Sequence, residues 1–388
     1  MIRSLETRWS ILFILFFARL STGFQFQSLG SVGPDLVENA GLKNFELGTL
    51  IGIFMLPGVV LAFPAGYLGK YFHDKSIITF GLICLCIGGV LAVIFKDFYS
   101  IAIGRIICGI GFVLTTIYFS KITIDWFDGR ELATAMSILI ISWPGGIALS
   151  QIIHPQIALK FGWIWAISSA NSLCFLAALV IYFFYRPTAV EKSNVAATQK
   201  ENHLSRHEWY KTGLAALSWA FYNSGYLVFL SFAYLTLVTN GFSNFLAAGI
   251  LSCSSFLIML SIPLGGLLAD KFKANNGIVF LSSLTAILTL ILLPYGNFVL
   301  FLCILFGAIG MSAGGIIISL AGLAMRTERR AYGMGVYQTI YFLFAAVSPV
   351  IAGWLYDYTQ NSKSVLSFAA SLFLLSWVFY FSFTRLTT

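Results

Sequence analysis

Arg19 and Arg105 each stand inside a long apolar stretch, 9–33 and 98–120, and neither stretch holds an Asp or Glu. A guanidinium at bilayer depth costs at least ~2.5–3.5 kcal/mol on insertion scales, so it normally faces a wet cavity or an ionic partner. With no carboxylate nearby in the chain, that pattern points to a bound anion as the missing partner. A guanidinium grips a carboxylate through a two-pronged hydrogen-bonded fork. Arg19 falls ~15 Å along its helix, near mid-depth, which makes it the first candidate for substrate contact. Arg105 is the second.

Polar residues in other apolar stretches are candidates to complete such a site: Gln25, Gln27, Gln151, Tyr222, Asn223, Tyr226, Gln338 and Tyr341. A buried amide or phenol needs a partner, which a ligand or a neighbouring helix can supply. Interhelical hydrogen bonds average only ~0.6 kcal/mol in membranes, so each residue also has a plain structural reading. Tyr118 and Trp143 read as packing. No nucleophile–base pair or metal-ligand spacing appears, so an enzyme is not expected and no cofactor is implied. His203 and His207 lie four apart but make too small a set for a metal. Cys84, Cys86, Cys108, Cys174, Cys253 and Cys303 all fall in apolar stretches and read as small core residues.

The elements that must position these residues are transmembrane helices. The chain is 59% hydrophobic and 10% charged, with a mean hydropathy of +0.88; a soluble domain carries roughly 25% charged residues. Stretches of the ~20 residues needed to span the hydrocarbon recur throughout. They fall near 9–33, 46–69, 76–95, 98–120, 132–154 and 163–185, then 211–238, 244–269, 277–294, 297–322, 332–356 and 364–384. Residues 1–185 form one group of six, 186–210 a polar cytoplasmic linker and 211–388 a second group. The first stretch is too long for a signal-peptide core and lacks a small-residue cleavage site. With the N terminus inside, only Lys43, Lys96, Lys160 and Lys363 among the basic loop residues fall outside. The positive-inside rule then places both termini in the cytoplasm. The +8 charge thus reflects topology rather than nucleic-acid binding.

A shift of 200 residues aligns Gly41, Asn44 and Phe45 with Gly241, Asn244 and Phe245, Gly66 and Leu68 with Gly266 and Leu268, and Arg130 with Arg330. Matches clustered in the same loops of the two halves indicate parallel repeats about an axis along the membrane normal. The loop after the eighth stretch reads Gly266-Leu-Leu268-Ala-Asp270-Lys271, while its counterpart, Gly66-Tyr-Leu68-Gly-Lys70, has Lys70 where the acid belongs. The fourth stretch carries Arg105-x-x-x-Gly109-x-Gly111.

With twelve stretches and the repeat, these motifs resemble the major facilitator superfamily across essentially the full chain. The resemblance implies an all-α membrane protein of twelve transmembrane helices in two six-helix pseudo-symmetric bundles, working by alternating access. It also implies a gating latch: Asp270, with Gly266 and Lys271 beside it, against the start of the fifth helix near Arg130. In the other half Lys70, after Gly66, would pair with Glu328 as a charge-swapped version. Phe24-Gln25-Phe26-Gln27, Trp126-Phe127-Asp128-Gly129-Arg130-Glu131 and Ser142-Trp143-Pro144-Gly145-Gly146 look like the cyanate-porter and nitrate/nitrite-porter branch. A nitrate-type carrier would pair arginines from equivalent helices, yet the repeat partners of Arg19 and Arg105 are Trp219 and Leu305. Small inorganic anions are therefore disfavoured.

The expected protein is a monomeric secondary or facilitative transporter in a bacterial inner membrane, moving a small or medium organic anion of carboxylate type. No Asp or Glu sits in the interior of a stretch, so coupling would run through a counter-substrate or a proton carried by the substrate. An exporter of neutral or lipophilic compounds is one rival, with the arginines structural. A transport-dead membrane sensor of the same fold is the other.

Overall fold

The computed structural model describes every residue except 1, 40, 67, 96, 128–131, 187–203, 327–329 and 387–388. The first half comprises α1 (Ile2–Ser31), α2 (Gly33–Asn39), α3 (Asn44–Gly52), α4 (Leu56–Ala65), α5 (Asp74–Phe95), α6 (Phe98–Phe127), α7 (Leu132–Phe161) and α8 (Trp163–Phe184). The second comprises α9 (Arg206–Thr239), α10 (Asn244–Phe272), α11 (Asn275–Leu292), α12 (Val299–Leu305), α13 (Gly314–Ala324), α14 (Arg330–Thr359) and α15 (Ser362–Arg385). Counting α3 with α4 and α12 with α13 as single crossings, twelve described segments are long and apolar enough to span a bilayer. An even number of crossings puts both ends of the chain on one face, the terminal face; the other is the far face.

Two crossings are broken where a single helix was expected. The second turns at 53–55 and restarts as α4, with Pro57 in the first turn, where a missing N–H leaves no bond unmade. The tenth passes through a π-helical turn, Phe306–Gly310, in its glycine-rich stretch. The Gly310 carbonyl there accepts from Ser282 Oγ at 2.8 Å and Tyr222 Oη at 3.4 Å, so side chains satisfy it. Pro144, Pro263 and Pro349 lie inside α7, α10 and α14, which continue through them. α9 begins earlier than its apolar stretch because Ser205 and Glu208 form a capping box.

Large apolar side chains such as Val60, Phe95, Ile103, Phe183, Leu260 and Phe301 point outward. An exposed apolar area on this scale has to be covered, here by lipid tails. The halves meet where α14 packs along α3 and α4, α10 along α7, and α9 against α1. Gly48 and Gly52 make the first contact possible: a Cβ on either would strike the Pro349 or Ala346 carbonyl of α14. Small residues at such a seam let backbones approach closely.

Candidate functional site

Arg19 sits midway along the first crossing, eleven residues from Arg8 and twelve from Ser31 at its ends. Its Nε is buried and meets no acceptor, and among the described residues no carboxylate pairs with its guanidinium. Its electrostatic neighbour is the Tyr341 phenol, which reaches it from α14 in the other half. The Trp219 ring on α9 lies 6.2 Å from that of Tyr341 and 6.4 Å from that of Tyr222. Trp219 is the repeat partner of Arg19, so one half supplies a cation and the other an aromatic wall at matching places. Beside Arg19 on α1, Gly23 lets the chain approach the Trp143 carbonyl of α7, and the Trp143 indole N–H is buried without an acceptor.

Arg105 has the opposite surroundings. It is 4% exposed, and its guanidinium donates to the carbonyls of Leu50 at 3.1 Å, Phe26 at 3.2 Å and Gln25 at 3.5 Å. The Phe54 ring lies 4.4 Å from its guanidinium carbon, within cation–π range. Its hydrogen bonds tie α6 to α1 and α3.

The remaining sequence candidates separate into two sets. Gln151 and Tyr226 come together at the seam: Ser255 Oγ of α10 donates to Gln151 Oε1 at 2.6 Å and lies beside the Tyr226 phenol. Gln151 Nε2 and Tyr226 Oη stay buried without partners. Gln27 also crosses the seam, donating to the Leu230 carbonyl of α9 at 3.2 Å. Gln338 is half-buried on α14. By contrast, Gln25 turns into the first bundle and donates to Asn171 Oδ1 at 3.0 Å. Tyr222 points at the π turn, and Asn223 donates to the Trp219 carbonyl of its own helix at 3.1 Å.

Of the gating residues, Arg130 and Glu328 lie outside the described residues. Gly266, Asp270 and Lys271 fall in the last turns of α10, Gly66 follows α4, and Lys70 closes a short 3-10 turn, Leu68–Lys70. Near the same loop, Lys121 of α6 binds both oxygens of Asp74 at 2.7 and 2.6 Å, at the start of α5.

Sequence reading missed three participants. Asn171 offers Gln25 its partner, Asp357 at the far end of α14 meets Asn44 of α3, and His154 is buried on α7. His154 carries a signal in the sequence: it is the one histidine within an apolar stretch.

The Major Facilitator Superfamily model matches residues 15–349. The chain belongs to that superfamily. A protein of Bacillus subtilis, the uncharacterized transporter YycB, is 24% identical over 92% of this chain and 89% of its own. Among solved structures, a bacterial homologue of the human lysosomal transporter Spinster, inward-facing and occupied, superposes with a TM-score of 0.77 at 15% identity, covering 97% of both chains. The xylose transporter XylE of E. coli, in a partially occluded inward-open form, gives 0.78 at 15% identity, covering 97% of this chain and 98% of that one. The fold is thus that of superfamily transporters, and the chain is an integral membrane protein that moves a small molecule rather than an enzyme. The relatives named above carry no cyanate- or nitrate-porter name, so the assignment stands at the superfamily.

Proposed function

We propose that this transporter carries a small or medium organic anion, of carboxylate type, by alternating access between its two halves. One observation carries the reading: Arg19 is a mid-depth guanidinium with a buried Nε lacking any acceptor, facing Tyr341 across the seam. A charge in that position needs a counter-charge, and a carboxylate offers two oxygens to the guanidinium fork. Tyr341 and the Trp219 ring would border the organic part of the substrate. Arg105, already satisfied by three carbonyls, serves the first bundle as a clamp.

The positive-inside pattern puts the terminal face in the cytoplasm, and a bacterial inner membrane fits it. The far face is then external. Gln27 to Leu230, Ser255 to Gln151 and Asp357 to Asn44 join the halves on that side, so the state described is closed to the outside. Purified protein in liposomes preloaded with one carboxylate should accumulate labelled carboxylate by exchange, while choline and neutral sugars fail to exchange. Exchange of neutral solutes with no response to carboxylates contradicts the proposal.

A further inference from the structure

His154 lies on α7 with no exposed surface. Its Nδ1 is 2.6 Å from Ser150 Oγ, which is 3.2 Å from Ser31 Oγ of α1. The Phe24 ring of α1 covers the imidazole, with ring centres 4.2 Å apart. Nε2 is buried and has no partner. The imidazole is therefore half-satisfied, with one nitrogen in a hydroxyl chain and the other waiting.

Its helical position matters as much as its burial. Residues three and four apart share a helix face, so His154 stands between Gln151 and Ser150. Gln151 holds Ser255 of α10 in the other half, and Ser150 holds Ser31 of α1 in its own. His154 is thus one helical turn beyond the Gln151–Ser255 contact that joins the two halves. Separation of α10 from α7 would bring water to that contact.

Among the described residues, the charged groups on the packed elements face elsewhere. On α1, Arg19 faces Tyr341 and Arg8 lies over the Phe127 ring. On α6, Arg105 faces three carbonyls, Cys108 the Leu85 carbonyl, and Lys121 both Asp74 and Asp125. On α8, Cys174 donates to the Ser21 carbonyl. On α10, Cys253 is half-buried one residue from Ser252, and Lys271 lies near the terminal-face end. Lys160, on α7 itself, is exposed at the far end. Serines and an aromatic ring are what His154 meets.

We propose that His154 is a proton-binding site that couples protonation to opening of the far face. In the closed seam the imidazole is sealed and neutral. In the open seam water reaches Nε2, and the ring takes a proton, with Ser150 accepting from Nδ1–H. A ligand that binds one conformation better shifts the population toward it, so external acid favours the open form. The inference rests on the alternating-access reading above, and its test separates the two.

Spin labels at Lys160→Cys and Lys363→Cys, on opposite halves of the far face, report the seam as a distance. Cys86 and Cys253, the cysteines not fully buried, are changed to Ser. Between pH 8 and pH 5.5, which bracket the ordinary histidine value of about 6.5, the labelled protein should move from a short to a longer distance. His154→Gln should keep the short distance throughout. Ser150→Ala, which removes the acceptor for the protonated ring, should move the midpoint to lower pH, and serves alone if His154→Gln does not fold. Asp357→Asn, which loosens the far face independently, should lengthen the distance at every pH. If that variant opens while the parent ignores pH, or if neither His154→Gln nor Ser150→Ala alters the response, the proton site is wrong. If no variant and no pH gives a second distance, the alternating-access reading itself is overturned.

Discussion

The Asp357 carboxylate of α14 caps the first turn of α3 in the opposite half, accepting from Asn44 N at 3.2 Å, Asn44 Nδ2 at 3.0 Å and Phe45 N at 2.6 Å. A negative charge at a helix start meets unpaired N–H groups and the positive end of the helix dipole. The contact therefore fastens the two halves together at the far face. The repeat places Ile157 where a matching acid would stand, so the latch is single and lies on one side of the molecule.

Replacing Asp357 by Asn keeps the shape and removes the charge. The closed far face should lose about 1.5 kcal/mol, the low end for charged hydrogen bonds because the site is partly exposed. Thiol labelling of a cysteine placed at Val350, half-buried against Gly52 at the seam, by a membrane-impermeant reagent tests this: the rate should rise several-fold. An unchanged rate would show that the latch holds nothing.

Gly48 and Gly52 give a steric version of the same experiment. Gly52→Val places a side chain where the Ala346 carbonyl and Val350 lie, forcing α3 from α14. The variant should fold, since each half keeps its own core, but favour the open far face. A cysteine at Val350 should become reactive in that background and stay protected in the parent.

Arg105→Gln should lower thermal stability by about 3 kcal/mol, near the top of the range for hydrogen bonds to a charged group. The loss should be the same with and without ligand. Arg105→Lys should not restore it, because one ammonium cannot reach three carbonyls in the plane of a guanidinium. Calorimetric unfolding of the three proteins checks both statements.

Much of this arrangement is written in the chain. Apolar runs of bilayer length give the twelve crossings, because nothing else can cover such segments. The break after Gly52 and the π turn at Phe306–Gly310 escape such reading: each depends on what the neighbouring helix offers a freed carbonyl, as Ser282 and Tyr222 do for Gly310. Arg19 and Arg105 stand out by charge alone, yet the sequence treats them alike. Only the fold sets Leu50, Gln25 and Phe26 carbonyls around one and leaves the Nε of the other bare. Gln25 turns inward for a related reason, since a helix apolar on every side gives no periodic clue to the face a polar residue takes. Asp357 hides at the end of a crossing, and His154, though visible as a lone histidine in an apolar stretch, has partners, Ser150 and Ser31, too common to reveal its surroundings.

The central claim is that Arg19 holds the anionic group of the substrate. Thermal unfolding of the parent, Arg19→Gln and Arg19→Lys against a panel of carboxylates, inorganic anions, neutral solutes and lipophilic cations tests it most directly. A ligand at ~100 times its dissociation constant adds ~2.7 kcal/mol of stability. Carboxylates should stabilise the parent, Arg19→Gln should abolish the effect without lowering its ligand-free stability, and Arg19→Lys should keep part of it. Stabilisation by neutral or cationic compounds, equal in parent and Arg19→Gln, would overturn an anion-binding role and leave Arg19 a structural residue.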